Sequence, residues 1–326
     1  MRNKELILPI LNNGKYGFID SNFRIAIKPK YNYVSSRFKE GYCVVTYIKK
    51  IRGNTKWIFG YMDRIGQTNF FLQLESANQF CDGLSKVRIN GKYGFFNKDL
   101  QEEIKPVYNT ALNFNENTCA VRKYKKWGFI NRKGDMIIDP IFSYANNFYE
   151  GRALVEVKNR YGYIDKMGEV VIDGEFIMGS DFSQNLASVK KNNKWGYIDR
   201  DGNLVIDYLY DKAKDFKEGL APVCIDNKWG YIDLQGNVAI DLKYEYACCF
   251  NEGLGRVKIK KGIFSQGHWG FINKRGEIVI NPIYKSISDF VDGYAQINEG
   301  LNNYIDKSGK LIINYNLLSW YKGEFF

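Results

Sequence analysis

The stretch KWGYIDRDGNLVIDYLYDKAKDFKEGLAPVCIDN, residues 194–227, decides the fold class because it contains one full unit of a pattern that recurs along the chain. The unit opens on an aromatic-glycine pair, and the alternating aromatic and aliphatic residues around it predict a strand. Asp199 and Gly202 predict a tight turn, because Asp can hydrogen-bond the turn backbone and Gly accepts a left-handed conformation. Residues 204–206 then predict a second strand.

The rest of the unit is expected to contain a connector and one more strand. Tyr210, Ala213 and Phe216 lie at helical spacing, which favours a short helical turn or an ordered loop. The pair Glu218-Gly219 turns the chain, and residues 220–225 predict a third strand. Each unit is therefore predicted to have three short strands and one connector.

Two anchors recur along the chain with the same step, which is constant over most of its length. The first anchor is the glycine of the aromatic-glycine pair, at Gly17, Gly60, Gly94, Gly128, Gly162, Gly196, Gly230 and Gly270. The second is a phenylalanine, at Phe38, Phe80, Phe114, Phe148, Phe182, Phe216, Phe250 and Phe290. A degenerate ninth unit has Asn303 in the glycine position. Two anchors in one register indicate a tandem repeat.

The repeat resembles a known family most clearly at four segments. These are KWGFINRKGDMIIDPIF (126–142), KWGYIDRDGNLVID (194–207), KWGYIDLQGNVAID (228–241) and HWGFINKRGEIVINPIY (268–284). They are similar to the WG-repeat family of bacterial β-repeat proteins, and the resemblance extends over residues 7–313. It implies a β-repeat array used for binding.

The predicted fold class is all-β, an open solenoid or superhelix of three-stranded units. Each unit is too small to bury its own apolar face, so neighbouring units must stack. Propeller blades usually have four strands in about 40 or more residues, which is longer than these units, so a closed β-propeller is the alternative. Residues 1–326 are predicted to be a single repeat domain of about eight units and a degenerate ninth. The aromatic-rich segment 314–326 is predicted to be a C-terminal cap or a docking tail.

Positive charge is the sharpest indication of function. Residues 1–163 contain 27 Lys and Arg against 14 Asp and Glu, whereas residues 164–326 contain 20 against 22. The cations gather at the hairpin before the aromatic-glycine pair, where equivalent turns of stacked repeats share one edge. The predicted partner-binding residues of this edge are Lys49, Lys50, Arg52, Lys56, Arg88, Lys92, Arg122, Lys123, Lys125, Lys126, Lys158, Arg160, Lys190 and Lys191. Insertions at 46–56 and 260–267 fall at the same hairpin.

The aromatic-glycine pairs are interpreted as the structural core of the repeat, because Trp, Tyr and Phe replace one another there as packing positions allow. The residues in question are Trp127, Gly128, Trp195, Gly196, Trp229, Gly230, Trp269 and Gly270. No catalytic constellation, phosphate loop or metal-ligand spacing is present, so neither an enzyme nor a cofactor is predicted. His268 is the single histidine. Cys43 and Cys119 stand where other units place a small residue, so both thiols are expected to be buried.

These patterns predict a cytoplasmic, non-catalytic scaffold for protein interactions, with a basic ridge on its N-terminal half for an acidic partner. The alternatives are a nucleic-acid-binding module that uses the same ridge, and carbohydrate or cell-wall binding through the repeated aromatics. No membrane association and no small-molecule substrate are predicted. A solvated edge that keeps the protein soluble would also account for the lysines.

Overall fold

The computed structural model describes residues 6–35, 37–260, 267–297 and 303–313. Within these residues every helix or strand assigned is a β-strand, which confirms the all-β class. A helix long and apolar enough to cross a membrane is not found among them. The described strands form nine antiparallel sheets, seven with four strands and two with three, and in every sheet the strands follow chain order.

The chain divides into two compact units, and the boundary passes through the fifth sheet. Unit 1 is Met1–Val155 with Lys166–Gly168. Its first four sheets comprise β1 (Leu6–Asn12), β2 (Lys15–Asp20) and β3 (Ile25–Tyr31); β4 (Tyr33–Val34), β5 (Tyr42–Ile51), β6 (Asn54–Asp63) and β7 (Thr68–Phe71); β8 (Ser76–Cys81), β9 (Leu84–Ile89), β10 (Lys92–Phe96) and β11 (Glu102–Tyr108); and β12 (Thr110–Ala111), β13 (Thr118–Lys123), β14 (Lys126–Asn131) and β15 (Met136–Phe142).

Unit 2 is Glu156–Asp165 with Glu169–Phe326. The fifth to ninth sheets comprise β16 (Ala145–Tyr149), β17 (Arg152–Val157), β18 (Arg160–Ile164) and β19 (Val170–Phe176); β20 (Met178–Gly179), β21 (Ala187–Lys191), β22 (Lys194–Ile198) and β23 (Leu204–Tyr210); β24 (Lys212–Ala213), β25 (Leu220–Ile225), β26 (Lys228–Asp233) and β27 (Val238–Tyr244); β28 (Tyr246–Asn251), β29 (Leu254–Ile259), β30 (His268–Ile272) and β31 (Ile278–Tyr284); and β32 (Tyr294–Ile297), β33 (Asn303–Asp306) and β34 (Leu311–Ile313).

The expected open solenoid of three-stranded units is wrong, and the fold class is the β-propeller. The connector contains a further strand, because Lys212 and Ala213 pair with Cys224 and Val223 of β25. Strand pairing runs within each sheet, as in a propeller blade, and each four-stranded sheet takes its first two strands from one repeat and its last two from the next, as where β21 pairs with β22. Four strands fit into so short a unit because the first strand of a sheet can consist of a single pair of residues, as β24 does. The expected cap at 314–326 lies outside the described residues.

The glycine of the aromatic-glycine pair is required by the strand that follows it. Trp127 lies opposite Phe142 and Phe129 lies opposite Ile138, so β15 bulges where it passes Gly128. A Cβ atom on Gly128 would lie 2.5 Å from the carbonyl oxygen of Ile138. The same clash with a backbone carbonyl oxygen, at 2.3–2.6 Å, would occur at Gly17, Gly94, Gly162, Gly196, Gly230 and Gly270.

The two sequence anchors meet where consecutive sheets pack. The aromatic residue after the glycine is fully buried, and its ring contacts the anchor phenylalanine of the next sheet. Phe129 contacts Phe148 at 4.8 Å between ring centroids in unit 1, and Tyr197 contacts Phe216 at 4.9 Å in unit 2. Such pairs contribute about 0.5–1.5 kcal/mol beyond the area they bury. The constant offset between the two anchors is therefore the sequence signature of sheet stacking.

We expect Gly128→Ala to lower the free energy of unfolding by about 1–3 kcal/mol, because the added methyl group overlaps backbone atoms that cannot rotate away. Urea denaturation followed by circular dichroism measures the change.

Gly91→Asn is the matched control for this substitution. Gly91 has a positive φ of 75° in an open turn, and other repeats have asparagine at the same turn position. The control should remain close to the unsubstituted protein in stability. Equal losses in both variants would show that glycine is needed for backbone freedom and not for the close approach.

Candidate binding edge

In the second to seventh sheets a turn of two residues joins the second and third strands, and these hairpins lie at the same end of their sheets. We call this end the hairpin edge. The connections between third and fourth strands lie at the opposite end, because successive strands run antiparallel. Most hairpin turns have two residues with positive φ: Arg52–Gly53, Asn90–Gly91, Tyr124–Lys125, Lys158–Asn159, Asn192–Asn193 and Asp226–Asn227. Two positive φ values define a type I′ turn, which favours Asn, Asp and Gly.

The structure places all fourteen predicted partner-binding residues on the hairpin edge. Exposed residues are Lys49, Lys50, Arg52 and Lys56 of the second sheet, Arg88 of the third, Arg122, Lys125 and Lys126 of the fourth, and Lys158 and Arg160 of the fifth. Lys92, Lys123, Lys190 and Lys191 are half-buried. Those of the second to fourth sheets belong to unit 1, and those of the fifth and sixth sheets belong to unit 2.

The hairpin of the second sheet is the longest on this edge. Pairing between β5 and β6 continues past Val45–Gly60 to Ile51–Asn54, whereas the fourth-sheet hairpin ends two pairs after Val121–Gly128. Trp57 pairs with Ile48 on this extension, and its side chain is 46% exposed. The predicted insertion at 46–56 is thus a β-ribbon. The other insertion lies largely outside the described residues, because 261–266 are not among them.

Acidic residues neutralise several of the basic hairpins. Nζ of Lys191 lies 2.7 Å from Glu175, and Nζ of Lys194 lies 2.5 Å from Asp211. The hydrogen bond from Lys194 is the main cause that lowers the pKa of Asp211, and Glu175 raises the pKa of Lys191. Glu245 likewise pairs with Lys258 at 3.5 Å and with Lys260 at 3.7 Å, and Glu75 pairs with Arg88 at 3.4 Å.

The hairpins of the second and fourth sheets have no such partner. Lys49, Lys50, Arg52, Lys56, Arg122, Lys123, Lys125 and Lys126 form no ion pair with a carboxylate anywhere in the described part of the chain. Asn32 directly precedes the second sheet and Asn109 directly precedes the fourth. Glu75 has the same position before the third sheet, and Asp211 has it before the seventh. Asn32 accepts a hydrogen bond from the backbone N–H of Ile48, just as Asp211 accepts one from Asp226. Asn32 therefore caps the second-sheet hairpin without adding negative charge.

The aromatic residues before the key glycines are not open platforms. Trp229 is buried, and Trp127, Trp195 and Trp269 are half-buried. Two of these rings are covered by cations of the same chain. Lys214 lies 5.0 Å from the ring of Trp229, and Arg256 lies 4.9 Å from that of Trp269. This arrangement fits the predicted structural role of the pair.

The remaining candidate groups have structural roles. Asp199 accepts backbone hydrogen bonds from Asp201 and Asn203, and the same capping recurs at Asn131, Asp233, Asn273 and Asp306. Burial raises the pKa of the Asp199 carboxyl, but the hydrogen bonds that it accepts lower the pKa by more, so it lies below its usual value. Cys43 and Cys119 are buried as expected, and burial raises the pKa of the Cys43 thiol to about 11. A cluster of three potential metal ligands is not found among the described residues.

The family described as "WG containing repeat" matches seven segments: residues 16–47, 93–127, 127–161, 161–195, 195–229, 229–262 and 269–300. Each segment begins at the aromatic residue that precedes a key glycine. The segments cover well over half of the chain and confirm the resemblance. A comparison with curated proteins finds no match.

Solved structures share the fold at low sequence identity. A crystal structure of the eukaryotic initiation factor is 10% identical, with a TM-score of 0.58 over 93% of this chain and 88% of that chain. Kluyveromyces lactis Hsv2p is 8% identical, with a TM-score of 0.45 over 74% and 97% of the two chains. The Pan2 WD40 domain of Neurospora crassa is 10% identical, with a TM-score of 0.35 over 70% and 85%. The first of these likenesses supports the corrected fold class and says nothing about function.

The turn Tyr124–Lys125 is unusual for a type I′ turn, because the bulky residue Tyr124 has a left-handed backbone conformation. Tyr124 is 81% exposed, and its ring lies 5.4 Å from Nζ of Lys123. A left-handed conformation costs an ordinary residue about 1 kcal/mol, which exceeds the roughly 0.5 kcal/mol of an exposed cation–π contact. We therefore expect Tyr124→Asn to raise the free energy of unfolding by about 0.5 kcal/mol, the difference between these two terms, as measured by urea denaturation.

The reverse substitution, Asn192→Tyr, is the matched control in the sixth sheet. Asn192 occupies the same turn position with φ of 46°, so tyrosine should lower the free energy of unfolding there. If Tyr124→Asn destabilised the protein, Tyr124 would have a structural role that its exposure does not indicate.

Proposed function

We propose that this chain, which belongs to the WG containing repeat family, is a non-catalytic scaffold whose hairpin edge in unit 1 binds an acidic protein surface. The proposal rests on the unequal neutralisation of the edge. Carboxylates of the same chain pair with Arg88, Lys191 and Lys194, whereas the hairpin cations of the second and fourth sheets form no ion pair among the described residues. A partner would supply the missing negative charge.

The cations that form no ion pair lie where a partner can bind them with a small loss of conformational entropy. They lie on or beside hydrogen-bonded strands, so the backbone loses little conformational freedom when a partner binds. Charges on one hairpin act together, because cross-strand neighbours lie about 5 Å apart, within the screening length of about 8 Å at physiological salt. Such a field steers an acidic partner and speeds its association. The expected result is affinity that falls steeply with salt.

Nucleic acid is the second candidate partner, and one observation favours it. Trp57 and Tyr124 are exposed beside the unpaired cations, and exposed aromatics next to Lys and Arg can stack on bases. Carbohydrate binding through the aromatic-glycine pairs receives no support, because those rings are buried, half-buried or covered by cations. An acidic protein remains the first choice because the same chain pairs the basic hairpins of its third, sixth and eighth sheets with carboxylates.

The test neutralises the second-sheet hairpin with Lys49→Gln, Lys50→Gln and Lys56→Gln together. The probes are a short peptide rich in Glu and Asp and a single-stranded oligonucleotide of equal charge. Each surface cation is worth about 0.5 kcal/mol, so the three substitutions should raise the Kd of the peptide about tenfold. Fluorescence anisotropy at several salt concentrations measures this change.

The control variant is Lys191→Gln with Lys194→Gln in the sixth sheet. Both lysines are already paired, so their removal should leave peptide binding almost unchanged. Binding of the oligonucleotide without the peptide would favour the nucleic-acid candidate. If neither probe bound at low salt, the lysines would only keep the surface solvated.

A further inference from the structure

Within the described residues, three hairpins place two lysines directly opposite each other across the strand pair. These pairs are Lys49–Lys56 in the second sheet, Lys123–Lys126 in the fourth and Lys191–Lys194 in the sixth. Directly opposed residues have Cβ atoms about 5 Å apart, and like charges at this separation destabilise the sheet. Each pair therefore gains stability when an anion lies between or beside its two ammonium groups.

The sixth sheet shows how the chain satisfies such a pair. Glu175, which lies on β19 before the hairpin, is 2.7 Å from Nζ of Lys191. Asp211, which directly follows β23 after the hairpin, is 2.5 Å from Nζ of Lys194. Two carboxylates, one from each side of the hairpin in the sequence, thus neutralise the two lysines.

The fourth sheet has the same lysine pair at the same register and lacks both carboxylates. The place of Glu175 is taken by Val107, which is 51% exposed, and the place of Asp211 is taken by Ser143. In both hairpins the lysine pair lies two pairs from the key glycine, which is opposite Val121 in one and Val189 in the other. The two hairpins therefore differ in whether the chain supplies its own anions.

We propose that the Lys123–Lys126 pair is a receptor for two carboxylates of an acidic protein segment, which occupy the places that Glu175 and Asp211 take in the sixth sheet. This inference rests on the proposed function and names the groups that recognise the partner. The turn between the lysines presents Tyr124, whose exposed ring offers an apolar contact next to the charges. The partner's carboxylates are favoured over phosphates, because carboxylates are what the same geometry binds within this chain.

The test grafts the missing carboxylates onto the fourth sheet with Val107→Glu and Ser143→Asp. The grafted groups should pair with Lys123 and Lys126 and exclude the partner. We expect the Kd of the acidic peptide to rise about five- to tenfold at low salt, and the salt dependence of binding to weaken. The graft should also raise the melting temperature, since it relieves the repulsion between the two lysines.

The control adds the same charge elsewhere, with Met167→Glu and Val238→Glu. Both side chains are exposed near the turns between third and fourth strands, at the end of their sheets opposite the hairpin edge. This variant has the same net charge as the graft, so it separates loss of the receptor from a general change in charge. We expect its Kd to change less than twofold and its melting temperature not to rise.

The mirror experiment exposes the sixth-sheet pair with Glu175→Val and Asp211→Asn. Asparagine retains an acceptor for the backbone N–H of Asp226 while the charge is removed. We expect this variant to bind a second equivalent of the peptide, as measured by titration calorimetry.

The outcomes separate the two proposals. If the unsubstituted protein does not bind the peptide, the proposed function fails before the receptor is tested. If it binds and the graft leaves the Kd unchanged, the receptor is overturned while the scaffold remains. A graft that weakens oligonucleotide binding but not peptide binding would also overturn it, because the site would then recognise phosphates.

Discussion

The close passage of the bulged fourth strand over the key glycine is the constraint on which the repeat depends. The carbonyl of Ile138 occupies the space in which any side chain at position 128 would begin. This approach brings the third and fourth strands together beside the following aromatic residue, Phe129, which then packs on Phe148 of the next sheet. The tripeptide Trp127–Gly128–Phe129 thus holds the third and fourth strands of its sheet together and packs that sheet against the next one. The motif therefore specifies the fold of the repeat and does not constrain the sequence of the hairpin edge.

The two ends of the sheets differ in how their charges are satisfied. At the end away from the hairpin edge, a glutamate of one sheet pairs with a lysine of another, as in Lys98–Glu40 at 3.1 Å and Lys307–Glu252 at 3.1 Å. Glu40 also accepts a hydrogen bond from the backbone N–H of Gly83, which ties neighbouring turns together. Charge at that end therefore contributes to sheet packing. Cations on the second and fourth hairpins have no comparable role within the described chain, so their charge is directed to solvent or to a partner.

The sequence was sufficient for the repeat, the all-β class, the capped turns and the burial of Cys43 and Cys119. It was insufficient for the strand count, because a strand as short as Lys212–Ala213 cannot show a period of two. The spacing of Tyr210, Ala213 and Phe216 imitates a helix, although Tyr210 ends the sixth sheet, Ala213 lies in the first strand of the seventh and Phe216 lies in the connection that follows that strand. Charge neutralisation was also hidden, since the acids that pair with a basic hairpin lie outside its own two strands. The positions of the lysines in the sequence therefore identified the hairpin edge but could not show which of its lysines form ion pairs.

The fourth-sheet hairpin brings together three local costs that the sixth-sheet hairpin avoids or offsets. Its turn holds tyrosine where asparagine or glycine fits better, its closing pair opposes two lysines, and its flanking connector positions lack an acid. Each cost is small, but none is needed for folding, because the sixth sheet builds the same hairpin with Asn192 and with both carboxylates. Locally unfavourable residues that persist without a structural reason tend to lie where a protein functions. All three costs would be recovered by one acidic partner with an apolar contact for Tyr124, and packing within the sheet recovers none of them.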